Sequence, residues 1–76
     1  MASIIQLHEL HSKKGYEAKV ISHGKITEFT DIQQAHHAIE GTINAALRIN
    51  NERVAGQSTV IDKNGKITTI WTLQNY

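Results

Sequence analysis

The chain contains no cysteine and no proline, a single methionine, and only Tyr16, Phe29, Trp71 and Tyr76 as aromatic residues. Without cysteine there can be neither disulfides nor a thiolate metal site to reinforce a small core, and a reducing compartment suits such a chain. Charge of one sign is lacking as well: eight Lys and Arg stand against seven Asp and Glu, a net of +1, and the longest basic run is Lys13-Lys14. That balance provides no field strong enough to steer the chain toward nucleic acid or anionic lipid. Long hydrophobic runs are also missing. Ile4, Ile5, Leu7 and Leu10 are interrupted by Gln6, His8, Glu9 and His11, which excludes a signal-peptide apolar region and a membrane span there. The expectation is a soluble cytoplasmic protein with no membrane partner. The five glycines are isolated from one another, so there is no phosphate-cradling loop and no flexible linker. One domain spanning residues 1–76 is expected.

What is present begins with a near repeat. Val20-Ile21-Ser22-His23-Gly24-Lys25-Ile26-Thr27 and Val60-Ile61-Asp62-Lys63-Asn64-Gly65-Lys66-Ile67-Thr68 each read as a β-branched run, a glycine-bearing turn, a lysine and a second β-branched run. This is the pattern of an antiparallel hairpin. A two-residue His23-Gly24 loop opposes Ile21 to Ile26, Lys19 to Glu28 and Ala18 to Phe29, placing Tyr16, Ala18, Val20, Thr27 and Phe29 on one face. For the second hairpin, a three-residue loop with a bulge at Gly65 opposes Asp62 to Lys66 and Ile61 to Ile67. That register is preferred over a two-residue turn because it gathers Ile61, Ile67, Trp71 and Leu73 on one face.

Between the hairpins, Ile32, Ala35, Ile39, Ile43, Ala46 and Leu47 recur at helical spacing. Thr30 and Asp31 are candidate N-caps, and Thr30 with Gln33 has the spacing of a capping box. The helix can stop early at Asn50-Asn51, or late with Arg53 in its last turn and Gly56 as cap. Residues 3–11 read two ways. Ile5, Leu7 and Glu9 alternate as a strand that could turn at Ser12–Gly15, whereas Ile4, Leu7 and His11 suit a short helix capped by Ser3. The strand is preferred. The expected fold is α+β, a small antiparallel sheet of four to five strands packed on one central helix in the order β-β-β-α-β-β, with Trp71 and Ile39 in the core between them.

Reactive chemistry is poorly represented. On a helix His36 and His37 diverge by about 100°, and His8 and His11 share a face only if their segment is helical, so no metal set is expected. The serines lack a nucleophile elbow. Glu9, Glu17, Glu28, Asp31, Glu40, Glu52 and Asp62 read as solvent-side, capping or turn residues. Neither enzymatic activity nor a cofactor is expected. One helix covers only one face of a sheet, and the other face would carry Ile21, Ile26, Val60, Thr68, Ile70 and Thr72. This mixed apolar and hydroxyl surface suits a protein interface. The expected role is a non-enzymatic interaction module, a regulator or inhibitor of another protein, its partner being that protein or a second copy of itself in a homodimer. The alternative is nucleic-acid binding by basic hairpin turns through Lys13, Lys14, Lys25, Lys63 and Lys66.

Overall fold

In a computed structural model, residues 3–75 are described; Met1, Ala2 and Tyr76 lie outside them. The elements run β1 (Ser3–Ser12), β2 (Gly15–Ser22), β3 (Lys25–Phe29), α1 (Ile32–Ile49), β4 (Glu52–Ile61) and β5 (Lys66–Asn75). The five strands form one sheet in the order β3-β2-β1-β5-β4, antiparallel at every pairing.

The first segment is a strand, and it occupies the centre of the sheet. Period-two alternation wins over helical spacing because Ile5 and Leu7 are both buried on one side, where a helix would have turned them apart. β1 turns back at Lys13-Lys14 so that Ser12 opposes Gly15 and His11 opposes Tyr16. The β2–β3 register places Ile21 opposite Ile26, Lys19 opposite Glu28 and Ala18 opposite Phe29, as expected of a two-residue loop. His23 and Gly24 both take positive φ there, 52° and 76°, the backbone twist that joins tightly paired strands. In the β4–β5 hairpin Ile61 opposes Ile67. The Asp62 N–H donates to the Lys66 carbonyl at 3.0 Å and the Gly65 N–H to the Asp62 carbonyl at 3.1 Å. Gly65, at φ 82°, supplies the left-handed residue that a three-residue bulged loop requires.

The helix starts at Asp31 rather than Thr30. The Asp31 carboxylate accepts from the N–H groups of Gln33 at 2.8 Å and Gln34 at 3.1 Å, satisfying two donors that the first turn leaves open. The helix stops early: Asn50 is the cap, its N–H bonded to the Ala46 carbonyl, and Asn51 at φ 57° reverses the chain. Arg53 and Gly56, which a later stop would have used, belong instead to β4, where the β5 register shifts between Val54 and Gly56.

The helix packs over one side of the sheet through Ala35, Ile39 and Ala46, which meet Ile5, Leu7, Ala18, Val20 and Leu73 in the core. Its small-residue flank, Ala38, Thr42 and Ala45, borders a groove over Val20, Thr27 and Phe29, so α1 rides above β2 and its neighbours. The opposite flank, Ile32, His36, Ile43 and Leu47, therefore faces β5 and β4. Ile32 and Leu47 remain exposed, and Trp71 lies on the expected face but only half-buried against the core. Ile61 is on the helix side too, yet 67% exposed, because it lies at the far end of β4 from Glu52, where that strand is buried.

Two substitutions test this layout. Ile39→Ala removes a buried branched side chain and should cost about 2 to 5 kcal/mol. Asp31→Ala should cost about 1 kcal/mol through the lost cap. Urea unfolding followed by circular dichroism measures both, and equal effects would contradict the placement of Ile39 in the core.

Candidate interaction surface

The side of the sheet without the helix is assembled by register into lateral rows. Ile26 of β3 lies beside Ile21 of β2, which opposes Gln6 of β1, then Ile70 of β5 and Ser58 of β4. This row crosses all five strands. The next row runs Glu28, Lys19, His8, Thr68, Val60. Flanking these, Ile4 opposes Thr72, which faces Gly56, and Leu10 lies between Glu17 and Lys66.

All six residues expected on this face are on it. Ile21, Thr68, Ile70 and Thr72 are half-buried, whereas Ile26 and Val60 are 61% and 63% exposed. The register does not bring all six together: Ile26 and Val60 sit on opposite edge strands, with three strands between them. Sequence reasoning missed the middle of the surface, where Ile4, Gln6, His8 and Leu10 of β1 project. The alternation of Ile5, Leu7 and Glu9 was the available signal, because it turns the intervening residues to the other side.

His8 is the polar centre of this face. Its Nε2 lies 3.1 Å from Gln6 Oε1 and its Nδ1 lies 3.3 Å from the Thr68 hydroxyl. An amide oxygen only accepts, so Nε2 donates and Nδ1 accepts from Thr68, an arrangement of the neutral ring. Burial, followed by the positive charges of Lys66 and Lys19, holds its pKa below the usual histidine range. Lys19 itself pairs with Glu28 at 3.9 Å across exposed strand surface, a contact of little energetic weight.

The other side of the sheet contains an acid that the sequence reading placed in solvent. Glu9 is buried on the core face of β1, accepts a 2.7 Å hydrogen bond from the Tyr16 hydroxyl and lies 3.5 Å from His36 Nε2. Burial and this bond push the Tyr16 phenol above its ordinary range, since the carboxylate needs the phenolic proton. Glu52 is likewise buried and accepts from the Ser3 hydroxyl at 2.7 Å. Both acids are tolerated on the buried side because a polar partner on a neighbouring element replaces water.

The histidines are dispersed. His8 is on the open face, while His11 packs edge-on against Tyr16, ring centroids 4.9 Å apart. His23 is in the β2–β3 turn and His36 stands beside Glu9. No group of three or more potential ligands converges among the described residues. The lysines divide by turn. Leu10 pairs with Lys66 and Ser12 with Gly15, so Lys13, Lys14, Lys63 and Lys66 occupy one end of the sheet. Ser22, beside Lys25, pairs with Ile5, which puts Lys25 at the other end.

Among the described residues no helix is long and apolar enough to cross a membrane. No family model matches the chain, and neither curated proteins nor solved structures give a significant match.

The His8 environment sets a pH dependence. Its folded pKa lies below the unfolded value of 6.5, so the unfolded chain binds the proton more readily. The stability contributed by the neutral ring is present above pH 6.5 and is lost as pH falls through the folded value. Melting curves of the wild type should shift downward over this interval, and His8→Gln should flatten the shift. An unchanged pH slope in the variant would remove His8 as its source.

Proposed function

We propose that this chain is a non-enzymatic interaction module, cytoplasmic in location, whose open sheet face is covered by a protein partner: either a protein that it regulates or inhibits, or a second copy of itself. The observation that carries this reading is the row Ile26, Ile21, Gln6, Ile70 and Ser58. It sets Ile26 and Ile21 on one side of the central Gln6 amide and Ile70 on the other, and ends at Ser58, bordered by the row that contains Lys19 and Glu28. Isoleucines around an uncharged, internally hydrogen-bonded centre fit the charge-depleted core of a protein interface. A partner would also benefit the fold, because among the described residues the buried apolar core consists of Ile5, Leu7, Ala18, Val20, Ala35, Ile39, Ala46 and Leu73, little for a domain of this length.

A second reading, nucleic-acid binding, has one observation in its favour: the convergence of Lys13, Lys14, Lys63 and Lys66 at one end of the sheet. Lys25 is at the far end and Asp62 sits within the cluster's own turn, so the protein interface is the better supported reading.

Sedimentation at several concentrations, in low and high salt and with and without DNA or RNA, separates the two. Ile70→Lys should weaken partner binding, or self-association through this face, by about tenfold or more, because a lysine would be desolvated at the centre of the patch. Its melting temperature should fall far less than that of Ile39→Ala. A monomer that shifts only with nucleic acid, and with affinity dropping steeply as salt rises, would replace the protein-interface reading with the second one.

A further inference from the structure

The two edges of the sheet are treated differently. β3 is five residues long and carries Lys25 and Glu28, the short charged form that discourages pairing with another chain. β4 is ten residues long, has no proline, and is uncharged from Val54 to Ile61. Asp62 directs its N–H toward Lys66, so strand alternation turns the peptide groups of Ile61, Thr59 and Gln57 away from β5, along the free edge. This edge offers backbone donors and acceptors with no charge or proline to blunt it.

We infer that β4 pairs antiparallel with β4 of a second copy about a two-fold axis at Ser58, joining two sheets into one of ten strands. The register follows from the strand itself. With Ser58 opposite its own counterpart, Gln57 faces Thr59 and Gly56 faces Val60. The bulge between Val54 and Gly56 then brings Val54 opposite Ile61 on the helix side. Both of these are exposed, at 41% and 67%, and each covers the other twice over in the pair. One position further, Arg53 falls opposite Asp62, a pairing of opposite charge at both ends of the junction. Without the bulge, Val54 and Ile61 would project from opposite faces and the register would lose both matches. A two-fold operation sets a strand against itself, so its success depends on the strand having no like-charged residues facing one another. β4 meets that condition, and the copy that satisfies it is always present at the chain's own concentration.

This pairing uses the backbone edge of β4 and, of the open-face row, only Ser58 at its end, so Ile70 and the rest of the proposed surface stand apart from it. The test is sedimentation of the full chain over a wide concentration range, with circular dichroism to verify the fold. The wild type should dimerise and Thr59→Pro should be monomeric, because proline removes an outward N–H while leaving the β4–β5 bonds. The double variants Gln57→Lys/Thr59→Lys and Gln57→Glu/Thr59→Glu should each be monomeric alone and dimerise when mixed, since the axis places position 57 of one copy against position 59 of the other. These two serve if the proline variant fails to fold. Ile70→Lys should leave this dimer intact. A wild type that stays monomeric throughout, a dimer that survives Thr59→Pro, or a dimer lost in Ile70→Lys would overturn the inference, the last in favour of open-face association.

Discussion

One helix on five strands is the constraint from which the rest of the molecule follows. Strands spaced about 4.8 Å apart make a sheet roughly 20 Å across, whereas a helix with its side chains is about 10 Å wide. α1 can therefore shield about half of the sheet, and contact through Ala35, Ile39 and Ala46 sets which half: β2 and the centre, with β4 covered only at its start, where Glu52 is buried. The same geometry explains the half-burial of Trp71, the exposure of Ile61 on a nominally interior face, and the outward flank of Ile32 and Leu47. None of these is a defect of patterning. Each residue lies on the side its strand or helix period assigns; one helix is simply too narrow to enclose them all.

Much of the architecture was legible because short-range signals agreed with one another. Both hairpin registers could be written from turn chemistry and from the need to keep Ala18 with Phe29 and Ile61 with Ile67 on common faces. The assignment of Ile21, Ile26, Val60, Thr68, Ile70 and Thr72 to the helix-free side followed directly. Lateral neighbourhood was not legible, because pairing within a hairpin says nothing about which hairpins become adjacent. The central position of β1, which determines that Ile21 and Ile70 are separated by Gln6 rather than in contact, depends on long-range pairing with β5. The buried states of Glu9 and Glu52 were hidden for the same reason. Their stabilising partners, Tyr16 with His36 and Ser3, come from other elements, and no local pattern marks a carboxylate that will find a hydroxyl across the sheet.

The polar groups divide the molecule into two chemically distinct sides. On the helix side, Glu9, Tyr16 and His36 close one end of a narrow apolar core with directional contacts. On the open side, His8 is satisfied laterally by Gln6 and Thr68, so the centre of the surface is neutral and internally hydrogen-bonded, while its ionised groups stand toward the rim. A partner covering this face would meet little unpaired polarity to desolvate at the centre, which is the property that lets a modest isoleucine patch act as a contact surface.

The position of β1 also has a kinetic side. It is paired by β2 across a tight turn and by β5 across almost the whole chain, with Ser3 opposite Leu73 and Leu10 opposite Lys66. During synthesis the first hairpins and α1 can assemble as soon as they emerge, but one side of β1 has no neighbour until β5 has been made. Until then the strand that becomes the best-protected in the sheet is an open edge, flanked by Ile5 and Leu7 with only part of their eventual covering. Closing the sheet is thus a late, non-local event, and the interval before it is when this chain is most exposed to pairing with the wrong strand.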